Sequence, residues 1–254
     1  MSYEDISIEE SELTATIGID IPPANVLSLN TIQELQTAFE ELDTAMRRVI
    51  ILESKNDKLF SGGVEVEDHI GDKLPKMMNA FSDLFGTMRS INTPILGKIN
   101  GPALGGGCEL AAGCDIALAA ESAKFGQPEV NLGTFPPIAA AAYPEMMGEK
   151  EAFEFIMTGE EVSAEKASQL GLVNRVVSTA SLDDEVANIV ENFSSKSGFT
   201  LGKSKEAFYR ARDTQSTEEA LAIATDQAIE ITDSEDGREG LNAFIEDREP
   251  EWTH

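Results

Sequence analysis

The chain is poor in the residues on which redox, metal and histidine-assisted chemistry usually rest. Its 254 residues include two cysteines, two histidines and one tryptophan. Cys108 and Cys114 sit in a segment of small residues with no Cys-x-x-Cys or mixed Cys/His spacing, so they read as buried thiols. His69 and His254 stand far apart in the chain, which argues against a Ser–His–Asp triad and against a His-rich metal site. No metal and no redox cofactor are expected. Positive charge is also scarce: 19 Lys and Arg face 46 Asp and Glu, giving a net charge of −27 and a pI near 4.2. Such a surface repels phosphates and anionic headgroups, so neither nucleic acid nor a membrane is expected as the main partner. No segment offers the ~18 uninterrupted apolar residues of a membrane helix. The opening MSYEDISIEESELT has neither the basic stretch nor the apolar run of a secretory signal, so a cytoplasmic location is expected.

With 41% hydrophobic residues the chain can bury the core of one large domain, or of one domain with an appendage. YEDISIEE and ELTATIGID alternate with period two and read as a hairpin turning near Ser11. TIQELQTAFEELDTAM has helical spacing behind Asn30 or Thr31 as a cap, and RRVIILES is a buried strand. A second unit follows: loop SGGVEVEDHIGD, helix DKLPKMMNAFSDLFGTMRSI, strand PILGKIN. The third has loop GPALGGG, helix CELAAGC and strand DIALAA. Strands alternating with helices imply an α/β fold with a largely parallel sheet. Beyond Gly148 only LVNRVV reads as a strand, between helices beginning at Ser163 and Ser181. The expected division is a core domain over 1–193 and a helical region over 194–254 that packs on the core or on another subunit.

The most informative stretch is 100–111, Asn-Gly-Pro-Ala-Leu-Gly-Gly-Gly-Cys-Glu-Leu-Ala. Consecutive glycines between a strand and a helix permit positive φ and a close approach of backbone to ligand, while the new helix leaves its first N–H groups unpaired. Those amides suit an oxyanion. A phosphate loop is the rival reading, but neither G-x-x-x-x-G-K-[ST] nor G-x-G-x-x-G is present, and a tight turn without function stays open. Glu109 enters the helix in its first turn, among small apolar residues that suit burial. Glu129, in Lys-Phe-Gly-Gln-Pro-Glu-Val, is placed to return to the same end of the sheet. Two carboxylates in one pocket can divide acid and base roles.

These residues carry a resemblance. Pro-Pro-Ala-Asn-Val-Leu-Ser (22–28), Phe-Ser-Gly-Gly-Val-Glu (60–65), the 100–110 block, Phe-Gly-Gln-Pro-Glu-Val-Asn-Leu-Gly (125–133) and the block at 158–177 are similar to the enoyl-CoA hydratase/isomerase (crotonase) superfamily. They follow the family's order over about residues 12 to 180. The resemblance implies a crotonase-like spiral of ββα units with a helical C-terminal oligomerisation region, a homotrimer or dimer of trimers, and an acyl-CoA substrate. It further implies an oxyanion hole at the Val64 and Gly106 amides, with Gly62, Gly63 and Gly105 alongside, and a substrate path lined by Pro22, Pro23 and Ala24. Glu109 and Glu129 match both hydratase glutamates: Glu109 would activate water for C3 and Glu129 would protonate C2 of a 2-enoyl-CoA, with no separate cofactor. Isomerisation with one glutamate, or a catalytically silent acyl-CoA-binding paralogue, are the alternatives.

One departure stands out. After Leu-Gly-Thr the chain has Phe135-Pro136-Pro137-Ile138-Ala139-Ala140-Ala141-Ala142 in place of a glycine-rich stretch, which stiffens the turn and resembles hydratases of cyclic dienoyl-CoA. Candidate counter-charges for CoA are Lys55, Lys58, Lys203, Lys205 and Arg210. The dispersed acidic excess reads as a solvated face; a sharper reading is adaptation to a salt-rich cytosol, whose cations screen self-repulsion. On that reading the unfolding midpoint rises from low to molar KCl, and an unchanged midpoint would refute it.

Overall fold

The computed structural model describes residues 3–254. The hairpin forms as expected from β1 (Ile6–Glu10) and β2 (Thr14–Ile19), antiparallel in register Ile8 to Ile17. After the two-residue strand β3 (Val26–Leu27) comes α1 (Leu29–Leu42). Its cap is Ser28, two or three residues earlier than expected: the Ser28 hydroxyl accepts the Thr31 N–H at 3.2 Å, and the Thr31 hydroxyl accepts the Ser28 N–H at 3.3 Å. The helix stops at Leu42, short of Met46, because its buried stripe Ile32, Leu35, Ala38, Phe39 and Leu42 ends there.

Two further turns follow the same plan. β4 (Val49–Ser54), β5 (Gly63–Val64) and α2 (Leu74–Ser90) form one, and β6 (Ile95–Ile99), β7 (Ala103–Leu104) and α3 (Gly106–Ala112) the next. β8 (Ile116–Ala120) and β9 (Lys124–Gly126) lead into α4 (Pro137–Met147) and α5 (Glu149–Thr158). The long strands order as β1-β2-β4-β6-β8, all parallel beyond the hairpin, and β11 (Arg175–Val177) closes the far edge. The short strands make a second layer: β3 pairs β5, and β7 pairs β9, which also pairs β10 (Val162–Ser163). The repeat is therefore strand, short strand, helix, the ββα spiral implied by the resemblance. The strand–loop–helix units read from the residues missed the short members, since two or three residues cannot display a period of two.

Both faces of the long sheet are covered. Ile50, Leu52, Ile99 and Ala119 join the main core with Phe39, Phe81 and Phe125, while Val49, Leu96 and Leu118 pack under Leu182 and Val186 of α7 (Leu182–Ser194), after α6 (Ala164–Leu170). Continuous burial explains why RRVIILES reads as an apolar run without alternation.

The chain ends in α8 (Gly198–Arg212), α9 (Thr217–Asp233) and α10 (Glu235–Glu246), as the loss of strand pattern suggested. α8 is pinned by Lys205, whose Nζ donates to Asp115 Oδ2 at 2.8 Å, Met88 O at 2.9 Å and Thr93 O at 3.1 Å. Tyr209 donates to the other Asp115 oxygen at 2.7 Å. On α10 the buried Asp236 accepts from Ser197 Oγ at 2.6 Å and from the Thr253 N–H at 2.8 Å, drawing the last residues back. Among the described residues, no helix is long and apolar enough to cross a membrane.

Because Lys205 and Asp115 are both largely removed from water, deleting one partner strands the other. Lys205→Met should cost about 3–5 kcal/mol. The check is a thermal melt combined with amide exchange of α8; an unchanged midpoint with unchanged protection would refute the pinning role.

Candidate active site

The geometry starts at the loop before β3. Asn25 is buried with φ of 45°, and its side chain ties four segments: Oδ1 accepts the Ile21 N–H at 2.8 Å, and Nδ2 donates to Ser54 Oγ at 2.7 Å, Phe60 O at 3.1 Å and Ile19 O at 3.3 Å. Ser61 Oγ donates to the Asn25 carbonyl at 2.7 Å and the Gly62 N–H to the Ala24 carbonyl at 2.9 Å. The Pro22-Pro23-Ala24 loop thus seats the Gly62-Gly63 turn.

Gly63 has φ of +108°, and a Cβ there would stand 3.0 Å from the Leu104 carbonyl oxygen and 3.7 Å from the Gly106 nitrogen. A Cβ on Gly106 would stand 2.6 Å from Val64 Cγ2 and 3.0 Å from Phe81 Cζ. Only glycines let these two turns touch. Neighbouring amides are engaged: Gly63 N–H on Ser61 Oγ at 3.2 Å, Glu65 N–H on Leu27 O at 3.0 Å, Gly105 N–H on Gly126 O at 2.9 Å. The Val64 N–H alternates away from its strand neighbours, and Gly106, as first residue of α3, has no intrahelical acceptor. The structure therefore brings Val64 and Gly106, the two residues the resemblance singled out, side by side.

Both glutamates converge on this point. Glu129 lies on a 3-10 helix, Pro128–Leu132, and its Oε1 is 2.7 Å from where a Gly105 Cβ would be. Two strands, β8 and β9, separate the glutamates in sequence. Glu109 is 2% exposed, and its Oε1 accepts the Ala139 N–H at 2.7 Å. That donor comes from the departure at 135–142. Pro136 caps α4 and Pro137 opens it, so the third residue, Ala139, has an N–H that the helix leaves free. The Pro-Pro segment thus becomes a support of Glu109.

Burial, with the nearby Glu129 charge pushing the same way, raises Glu109 to about 8, against the pull of the Ala139 and Ile138 amides. Burial also raises Glu129. Gln127 and Tyr143, unforeseen from sequence, sit behind the pair and are completely buried. With its amide turned to satisfy both ends, Gln127 donates to Glu129 Oε2 at 3.1 Å and Oε1 at 3.2 Å and accepts from the Tyr143 hydroxyl at 2.8 Å. Gln127 lay inside a quoted motif but had no charge to draw attention, and Tyr143 closes an alanine run.

The basic candidates divide. Lys55 and Lys58, with Pro22, Pro23 and Asn56, line a polar cavity of about 330 Å³. Lys55 is shared with Glu9 and Glu53 at 2.8 Å each, and Lys58 forms no ion pair among the described residues. Lys205 is corrected: it is spent on Asp115 inside the fold. Lys203 pairs with Glu206 and Glu230, and Arg210 with Glu206. Spacing along a helix does not reveal which cations already have partners.

Comparison with known proteins agrees with this geometry. The sequence profile described as enoyl-CoA hydratase/isomerase matches residues 9–254. The chain is 33% identical to a probable enoyl-CoA hydratase of Mycobacterium bovis, with 100% of both chains covered. It is 32% identical to a crotonyl-CoA hydratase of Syntrophomonas wolfei, covering 98% of this chain and 97% of that one. Its fold superposes on an enoyl-CoA hydratase of Mycobacterium smegmatis with a TM-score of 0.93 at 31% identity, covering 99% and 100% of the two chains. By sequence, topology and the placing of its motif residues, the chain belongs to the enoyl-CoA hydratase/isomerase family.

Proposed function

We propose that this protein is an enoyl-CoA hydratase, adding water across the 2,3 double bond of a 2-enoyl-CoA thioester and removing it in reverse. The observation that carries the reading is the meeting of two desolvated carboxyls with two adjoining backbone amides at Val64 and Gly106. The amides hold the thioester oxygen and stabilise the enolate; removing one such donor typically costs 10²–10³ in rate.

Glu129 abuts Gly105, beside the amides, and so faces C2, the carbon next to the thioester; Glu109, further along α3, faces C3. The pair works with one proton. In the empty site burial places it on Glu109, and the Gln127 N–H favours the charged form of Glu129. That is the starting state for dehydration: Glu129 takes the C2 proton, and Glu109 protonates the hydroxyl leaving C3. Hydration runs the same path backward from the other placement of the proton, with Glu109 accepting a proton from water as its oxygen bonds C3 and Glu129 delivering one to C2. No metal or redox cofactor is invoked.

The nucleotide end of CoA is assigned to the Pro22–Lys58 cavity, with Lys58 as its available cation. A homotrimer, alone or paired, belongs to the same proposal: α9 and α10 present exposed Leu221, Ile229, Leu241, Phe244 and Ile245, apolar side chains that a subunit contact would cover. The cytoplasmic setting is supported by two unpaired thiols. The reading of cyclic dienoyl-CoA as substrate keeps a basis in Phe135, which is 54% exposed. A screen of short, long and cyclic enoyl-CoA thioesters, followed by loss of the conjugated absorbance, separates the substrates, and a 3-enoyl-CoA in the same screen tests isomerisation.

Glu109→Gln and Glu129→Gln should each lower kcat at least 10²-fold while CoA binding persists. Full activity in either variant would sink the assignment, and loss of CoA binding in both would point to misfolding. The hydration rate should follow a bell in pH, with its alkaline limb near 8, where Glu109 loses the shared proton. Stability gives a separate check. Glu109 binds its proton more tightly folded than unfolded, so its contribution is complete below about 4.5 and is lost as pH rises through about 8. Glu109→Gln should therefore melt above the wild type at pH 8 to 9, and the gap should close toward pH 4.5; equal midpoints throughout would contradict the burial argument.

A further inference from the structure

Behind Glu129 runs a line of polar groups that the reaction does not touch. Gln127 has both ends of its amide engaged and no access to water. Tyr143, from α4, is equally buried; its ring packs beside Phe155 with centroids 6.1 Å apart, and its oxygen lies 3.4 Å from Cys108 Sγ. An amide presents oxygen at one end and N–H at the other, and the two ends are nearly equal in size. Shape alone does not decide which faces Glu129.

The tyrosine hydroxyl decides it. It has one hydrogen to give and two neighbours, the Gln127 amide at 2.8 Å and the weakly accepting Cys108 sulfur at 3.4 Å. Donated to the Gln127 oxygen, that hydrogen turns the amide N–H toward both oxygens of Glu129. The Cys108 thiol, which burial keeps protonated by raising it to about 12, is a poor competitor for that hydrogen at 3.4 Å. Tyr143, Gln127 and Glu129 thereby form a line in which each hydrogen points toward the carboxyl, and such chains reinforce one another. Turned over, the amide would set its oxygen against the carboxylate oxygens where no water can intervene, an arrangement that is costly for buried polar groups.

We propose that Tyr143 is a positioning residue for Glu129: by donating its hydroxyl hydrogen to Gln127, it fixes which end of that amide meets the carboxyl and so aims Glu129 at the substrate's C2. The kinetic consequence rests on the hydratase reading; the orientation of the amide does not. Tyr143→Phe keeps the ring and removes only the hydrogen. With Gln127 free to turn, hydration should fall roughly tenfold in kcat, the factor worth one hydrogen bond, with KM within about twofold.

The decisive measurement is a double-mutant cycle of Tyr143→Phe and Gln127→Met, read alongside the side-chain amide signals of Gln127 in 15N-resolved NMR spectra of the full protein. If Tyr143 acts through Gln127, its replacement adds nothing to Gln127→Met, and Tyr143→Phe alone moves the Gln127 amide protons toward free-amide positions while thermal midpoints stay close to wild type. Additive losses, wild-type kcat in Tyr143→Phe, or unmoved Gln127 signals would each overturn the proposal. A wild type that hydrates none of the enoyl thioesters would defeat the hydratase reading, and the NMR comparison would still decide the role of Tyr143.

Discussion

The structure turns on keeping Glu109 out of water and Glu129 partly out of it, within reach of one another. Burying an ionised carboxylate is costly, so such a pair retains a proton rather than both charges. Each glutamate is also given a donor. Glu109 has the Ala139 amide from the opening turn of α4, and Glu129 has the Gln127 amide. Those donors come from different segments, so the pair forms only when α3, the 128–132 turn and α4 are all in place.

The spiral supplies that convergence. Each turn carries the chain from the long sheet to the short layer and into a helix, and the crossings of successive turns lie next to each other. Gly63 and Gly106 sit at two such crossings, and the contacts a Cβ would make there show how little room the backbone leaves. Asn25 and Ser61 fasten the preceding loop to the same place. A reactive centre built from main-chain amides depends on this kind of over-determined packing, because it has no side-chain rotamers with which to adjust.

The C-terminal helices answer a different need. The three helices bury little core of their own, and they are attached through polar anchors, Lys205 on Asp115 and Asp236 on Ser197 and Thr253, leaving their outward apolar side chains available. The buried Lys205 is thereby committed to holding the fold. That leaves Lys58 as the unpaired member of the cavity-lining lysines.

Much of this was legible in the order of residues. Glycine runs at 62–63 and 105–107, the two glutamates and the helical tail are local chemistry: a backbone without Cβ, an acid in an apolar helix, a run of period 3.6. Together they identified the family and the site. The short strands β3, β5, β7 and β9 were invisible because two or three residues carry no period. The partner of the Pro136-Pro137 turn stayed hidden because a helix start declares an unpaired amide but not the carboxyl it will meet. Lys205 was misread because a cation's partner, here Asp115, lies a whole crossing away. Gln127 and Tyr143 had no signal at all, since a neutral amide and a phenol acquire meaning only from what faces them. Composition and spacing determined which groups are present and what backbone they permit; tertiary structure alone decided which of them meet out of reach of water, where a hydrogen bond's direction and a carboxyl's proton are set.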